Sequence, residues 1–223
     1  MLRLLPTTIL FLTAAFLSFA THLQADIAVF DFEGAPGDGV HDGDLSTLSL
    51  TESGLTVTIT RTSGLPFDVL NDVAGGFPDA FPAPGWDDQA LSPFFAETAN
   101  DRFLVNFSLP VDLFGVQTGD FGGDDDDLIL QAFSGLNGTG TLIDTTTDSF
   151  TGDFNMTGPG DGPQNLVVFG SGIQSVTFGG GSTIAPHSVF FDNFRISFVV
   201  PEPSSAVVVG LAILGMAVRR RRG

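Results

Sequence analysis

The sequence predicts an all-β fold, an antiparallel jelly-roll β-sandwich, with an apolar segment at each end of the chain. Between residues 26 and 200, short runs of alternating apolar residues are separated by Gly, Pro, Asp and Asn, a pattern typical of sandwiches and barrels. Long segments with helical periodicity are missing from this region. The 223 residues include 23 Phe but neither Tyr nor Cys, so phenylalanine must build much of the core without help from disulfides.

Nine strands follow from the alternation, and nine strands with long connections favour a jelly roll. Phe103, Val105 and Phe107 alternate most clearly. The long connection 65–100 is rich in Pro and Phe, and such connections often carry function. The expected strands are 27–32, 55–61, 102–109, 112–117, 128–133, 141–146, 165–169, 174–178 and 188–198.

The amino-terminal segment has the composition of a secretory signal peptide. Arg3 gives it a basic start, residues 4–20 are apolar, and small residues allow cleavage after Ala20 or after Ala25. Cleavage after Ala25 is favoured because the polar sequence with the strand pattern of the domain begins at Asp26. The expected organisation is a signal peptide over 1–25, a β-sandwich over 26–200 and a terminal segment over 201–223.

The terminal segment has three parts in a fixed order. Pro201, Glu202 and Pro203 keep the backbone extended and accessible to a protease. Residues 206–218 carry no charge, and four arginines follow that would hold the far end on the cytoplasmic side: Arg219, Arg220, Arg221 and Arg222. A permanent anchor is the alternative, but the uncharged stretch 204–218 is shorter than the roughly 20 residues that a spanning helix needs.

This order and spacing resemble the PEP-CTERM sorting signal of Gram-negative bacteria. The resemblance implies that an exosortase cuts the Pro-Glu-Pro motif while a transmembrane helix holds the protein transiently in the inner membrane. It further implies release to the cell surface or extracellular matrix, and an association with exopolysaccharide and biofilm formation.

The charge of the predicted mature region limits its partners. Residues 26–200 hold 25 acidic residues and only three cations, Arg61, Arg102 and Arg195, a formal balance of −22. Such a surface repels nucleic acid and anionic lipid, so neither is an expected partner. Ca²⁺ is the natural counterion, and binding of an acidic polysaccharide is expected to need bridging Ca²⁺.

A calcium site is predicted where the first and last strands meet. Strict alternation would place Asp192 on one face with Phe190 and Phe194, where a carboxylate needs a partner or a metal. Asp31 and Glu33 close the first strand and could converge with Asp192 on oxygen-preferring Ca²⁺. An ion pair at a strand end, either between Asp192 and Arg195 or between Asp31 and an arginine, is the alternative.

The same residues resemble the ends of bacterial jelly-roll carbohydrate-binding modules. The similarity lies in Phe32-Glu33-Gly34 and in the run from Phe191 to Ile196. It implies that Glu33 and Asp192, helped by backbone carbonyls, hold a structural calcium.

Two acidic loops and one tryptophan are further candidates. The run 124–127 of four Asp is expected to be a solvated hairpin loop rather than a metal site. The acidic turn 38–44, which contains His41, is a less favoured metal candidate. Trp86 with Asp87 and Asp88 is a candidate glycan contact, since an exposed aromatic ring stacks on sugars and carboxylates accept hydroxyl hydrogen bonds. Trp86 could instead plug one end of the sandwich.

Catalysis has little support, because His41 and His187 have no partner pattern for nucleophilic chemistry. The expected function is therefore a non-enzymatic adhesive or structural module bound to extracellular polysaccharide. A secreted carbohydrate-active hydrolase using paired carboxylates is the alternative.

Overall fold

A computed structural model describes residues 24–36, 43, 45–71, 89–93, 101–120, 126–150, 164–181 and 189–200. All regular structure in these ranges is β, in ten strands. They are β1 (Gln24–Phe30), β2 (Leu48–Glu52), β3 (Leu55–Arg61), β4 (Asp68–Asn71), β5 (Gln89–Ser92), β6 (Phe103–Asp120), β7 (Asp126–Phe133), β8 (Leu142–Phe150), β9 (Gln164–Gly181) and β10 (Val189–Val200). Asp26–Phe198 form one compact unit.

Two long strands, β6 and β9, connect two halves of the β network. Each has 18 residues. The two strands pair with each other on both sides of a break in register, which divides each strand into a first and a last part. The first part of β6 and the last part of β9 lie in the order β2-β3-β6-β9-β7-β8, here sheet I. Their other parts lie in the order β4-β5-β10-β6-β9, here sheet II, where β1 also pairs with β10. The strand pairs within these two orders are antiparallel.

The register of the long pair breaks between Asn106 and Val111, where β6 passes from one sheet to the other. Pro110 lies within this break, so its missing N–H removes no regular ladder hydrogen bond. Gly170 and Gly172 lie at the corresponding place in β9 and have φ of 154° and 78°, values that favour glycine.

Phenylalanine rings fill the space between the sheets. Phe178 of sheet I lies 4.8 Å from Phe191 and 5.4 Å from Phe194 of sheet II, measured between ring centroids. Phe103 contacts Phe191 edge-on at 5.7 Å. These offset and edge-to-face arrangements are the ones that aromatic quadrupoles favour. The prediction of an antiparallel sandwich with a phenylalanine core is thus confirmed.

The individual strands follow the prediction with informative exceptions. The predicted strands 102–109 and 112–117 form the single strand β6, and 165–169 and 174–178 form β9. Three short strands, β2, β4 and β5, were not predicted. β5 is buried on both faces, so it lacks the alternation on which a sequence-based assignment depends.

The alternation predicted for β10 is wrong at Asp192. A bulge interrupts the pairing with β6 between Asp192 and Arg195, and Asn193 has φ of 50°. One extra residue in a strand reverses the faces that follow it. Asp192 therefore shares a face with Phe190, whereas Phe194 and Ile196 point into the core on the opposite face.

Within the described ranges, no helix has the length and apolar character needed to cross a bilayer. The predicted signal peptide before residue 24 and the segment 201–223 lie outside these ranges.

Candidate functional site

Three adjacent strands of sheet II present a three-by-three array of residues on the face away from the core. Residues opposite each other in antiparallel strands point to the same side. The registers of β6 with β9 and with β10 therefore define the rows of this array, here called the β9–β6–β10 face. The rows are Phe169, Leu113 and Ser197; then Val167, Gly115 and Arg195; then Asn165, Gln117 and Asp192.

Glycine occupies the centre of this array. Neighbouring rows lie about 7 Å apart and neighbouring strands about 4.8 Å apart. A Cβ on Gly115 would have ordinary contacts, the nearest being 3.5 Å from Val167 Cγ2, so packing alone does not demand glycine here. Gly115 is itself buried, and it contributes no side chain between Val167 and Arg195.

Phe169 gives one corner of the face an exposed aromatic ring. Its exposed fraction is 60%, whereas most of the other described phenylalanines are buried. The Phe169 backbone N–H donates to Asp144 Oδ2 at 2.9 Å, and Thr146 Oγ1 donates to the Val167 carbonyl at 2.6 Å. Side chains of β8 thus fix the edge of β9 and hold the ring in place.

The opposite side of the face is polar. Arg195 and Asn165 are exposed, and within the described residues neither side chain has a hydrogen bond or an ion pair. Gln117 Oε1 accepts a hydrogen bond from Asn193 Nδ2 at 2.9 Å, which leaves the Gln117 amide NH₂ available. The side chains of Arg195, Asn165 and Gln117 therefore offer hydrogen-bond donors on the side of the face away from Phe169.

The other two cations of the sandwich are already engaged. The buried Arg61 guanidinium donates to Asp101 and to the Pro66 carbonyl. Arg102 is half-buried and donates to Gln131. Burial lowers the pKa of both arginines, and for Arg61 the attraction of Asp101 acts in the opposite direction. Both residues therefore serve the structure of sheet I.

The outward face of sheet I is polar too, but its groups bond to one another. Asn106 and Asn137 are joined by two hydrogen bonds, of 2.7 and 2.9 Å. Ser175 Oγ donates to the Gly135 carbonyl at 2.6 Å and accepts from the Gly138 N–H. Because these groups are satisfied, the β9–β6–β10 face is the better candidate for a ligand.

The predicted calcium residues lie near the junction of β1, β5 and β10. Glu33 Oε1 accepts from the Gln89 N–H at 3.0 Å, and Asp31 Oδ1 accepts from the Glu33 N–H at 3.2 Å. The fully buried Asp192 accepts two hydrogen bonds from Asn193. In the part of the chain that the structure describes, no three acidic or histidine residues form a group suited to a metal. The expected convergence of three carboxylates is therefore not seen.

The other predicted site residues lie outside the described residues. They are Trp86, Asp87 and Asp88; Pro201, Glu202 and Pro203; Arg219, Arg220, Arg221 and Arg222; His41; and Asp124 and Asp125. The alternative ion pair between Asp192 and Arg195 is not formed, since Arg195 has no such contact.

The sequence analysis missed the β9–β6–β10 face. It assigned strand 165–169 correctly, and the alternation already puts Asn165, Val167 and Phe169 on one side. What was missing was the pairing, because only the register shows that Arg195 and Gly115 join the same surface.

Comparison with known proteins leaves the chain without a family. No family model matches it, and no curated protein matches it. A cleaved adhesin domain of Lys-gingipain aligns with 78% of this chain and 100% of its own length, at 12% identity and a TM-score of 0.47.

Two further solved structures show a likeness of the same order. The CBM22-1 xylan-binding domain of Paenibacillus barcinonensis Xyn10C aligns with 80% of this chain and 97% of its own, at 15% identity and a TM-score of 0.42. A DUF4465 family protein from Bacteroides caccae aligns with 77% of this chain and 98% of its own, at 11% identity and a TM-score of 0.42. At these values the likeness establishes neither a family nor a ligand.

Proposed function

We propose that this protein is an exported, non-catalytic module that binds extracellular polysaccharide through the β9–β6–β10 face. The observation that carries the proposal is the exposed Phe169 on one side of the face, with the exposed side chains of Asn165 and Arg195, which have no partner among the described residues, on the other. Binding sites commonly combine an apolar surface with a few placed polar groups, and this face has both.

Each part of the face has a role in sugar binding. The C–H face of a pyranose ring packs against Phe169, which removes apolar area of both partners from water. Asn165 and Gln117 bond to hydroxyl groups, which both donate and accept hydrogen bonds. Recognition of this kind needs no bond-making residue.

The terminal segments supply the proposed route to the cell surface. After signal-peptide removal, residues 201–223 would hold the chain in the inner membrane until an exosortase cuts at Pro201–Pro203. The order of motif, apolar run and arginines supports this route. The site of action would be the surface or the extracellular matrix.

Calcium is a proposed structural partner of Glu33 and Asp192. Their donor set suits Ca²⁺, which prefers carboxylate and carbonyl oxygens, and a fully buried Asp192 is a carboxylate that benefits from a cation. The ion would stabilise the β1–β10 junction and would take no part in sugar binding.

A pair of matched variants tests the saccharide site. Phe169→Ala removes the exposed ring of the face, and Ile27→Ala removes an equally exposed apolar side chain (66%) from β1. With the full chain in detergent and the producing organism's extracellular polysaccharide, we expect Phe169→Ala to weaken binding about tenfold in titration calorimetry. Ile27→Ala should leave binding unchanged.

The melting temperatures of both variants provide the folding control. Equal binding by wild type and Phe169→Ala, with both proteins folded, would remove the β9–β6–β10 face as the binding site. Loss of binding on substituting Trp86 instead would move the site to the connection 65–100.

A further inference from the structure

We infer that the β9–β6–β10 face selects an anionic saccharide, whose carboxylate binds directly to Arg195 without a bridging calcium. This inference rests on the proposed function and names the class of its ligand. It replaces the expectation that a strongly acidic protein needs Ca²⁺ to bind an acidic polysaccharide.

The first step is the distribution of cations. The mature region has three arginines against 25 acidic residues. Arg61 and Arg102 are held by Asp101 and Gln131, whereas Arg195 is exposed and has no partner among the described residues. In so acidic a chain, an arginine that none of the described carboxylates has captured is available to an external anion.

The second step is the position of Arg195. In the middle row of the face, Arg195 of β10 pairs with Gly115 of β6, and Gly115 pairs on its other side with Val167 of β9. From its Cα, the Phe169 Cα lies two strands across and one row along, about 12 Å away by standard sheet spacings. A sugar ring on Phe169 and a carboxylate on the guanidinium can thus belong to one oligosaccharide.

The third step is the chemistry of the groups. A guanidinium presents paired N–H donors that match a planar carboxylate, and a uronic acid carries that carboxylate on its ring. The acidic residue nearest in the array, Asp192, is buried and already accepts hydrogen bonds from Asn193. At physiological ionic strength, salt screens charges over about 8 Å. It therefore weakens the repulsion between the sugar and distant carboxylates of the protein more than it weakens the direct contact with Arg195.

The experiment compares one sugar with and without its charge. Oligogalacturonate and its fully methyl-esterified form have the same rings, and only the first carries carboxylates. Titrations use the full chain in detergent at 0.15 M salt with a chelator present. Wild type should bind the acid about 10-fold or more tightly than the ester, as a charge-assisted bond predicts.

Arg195→Gln should abolish this preference, because it replaces the guanidinium by a neutral amide, and the affinities for acid and ester should become equal. Thr47→Glu is the matched control, because it changes the net charge equally at an exposed position before β2 in sheet I. It should retain the preference of wild type.

Three results would overturn the inference. Equal affinity for acid and ester, with Phe169→Ala still weakening both, would reject an anionic ligand but keep the proposed saccharide site. Binding of the acid that the chelator abolishes would show bridging calcium. Binding of neither probe by a folded wild type would reject both the inference and the proposed site.

Discussion

The Asp101 carboxylate shows how single residues fix a loop in this protein. It accepts hydrogen bonds from Arg61, from Ser63 Oγ at 2.7 Å and from the Ser63 N–H at 3.2 Å. The Arg61 side chain is fully buried, and only Asp101 among these partners carries the opposite charge. The ion pair therefore closes the end of β3 over the connection that follows it.

Removing this carboxylate should be costly. Asp101→Ala removes the ion pair between Asp101 and the buried Arg61 guanidinium, so we expect the free energy of unfolding to fall by about 3–5 kcal/mol. Urea titration measures this change. The exposed Asp112→Ala should alter stability by less than about 0.5 kcal/mol. A similar small change for both variants would show that the ion pair contributes little.

The bulge in β10 is the element that creates the candidate site. Without the extra residue at Asn193, Arg195 would point to the core side, and the array around Gly115 would lose its cation. Asn193 accepts a positive φ more readily than most residues, and its amide bonds to both Gln117 and Asp192.

Substitutions at Asn193 should separate these two contributions. Asn193→Gly adopts the positive φ readily but loses the hydrogen bonds of the side-chain amide. Asn193→Ala loses the same hydrogen bonds and also adopts the positive φ less readily than glycine. We expect about 1 kcal/mol of destabilisation for Gly and about 2 kcal/mol for Ala. Thermal unfolding followed by circular dichroism tests the order, and a more stable Ala variant would contradict it.

The edge of β9 is a second element with a testable role. Thr146 and Asp144 of β8 bond to backbone groups of Val167 and Phe169 that β6 does not pair. Such capping keeps an exposed strand edge from pairing with other chains. Thr146→Val with Asp144→Ala should therefore increase self-association in sedimentation experiments, whereas the exposed pair Thr145→Val with Asp148→Ala should not.

The predictability of the fold and of the site differs for a physical reason. Alternating runs such as Phe103, Val105 and Phe107 report local burial, so the all-β class and most strand positions could be read from the sequence. Register depends on contacts between residues far apart in the chain, such as Gly115 with Val167. The bulge at Asn193 has no composition signal, and it alone reverses the predicted face of Phe194.

For the molecule as a whole, we expect the large negative charge to make stability depend on cations. We expect Ca²⁺ to raise the melting temperature if Glu33 and Asp192 hold it, since binding only to the folded state stabilises that state. Asp192→Asn, which keeps the size of the side chain, should abolish the calcium-induced rise measured by scanning calorimetry. An equal rise in this variant would place the ion elsewhere.

The most direct test of the binding face fills its centre. Gly115→Leu places a side chain at the centre of the array, where an added Cβ has ordinary contacts, and it should obstruct the face between Phe169 and Arg195. Titration of the full chain with the extracellular polysaccharide should show binding by wild type and at least about tenfold weaker binding by the variant, at similar melting temperatures. Unchanged affinity in a folded Gly115→Leu protein would show that the sugar does not bind at the β9–β6–β10 face.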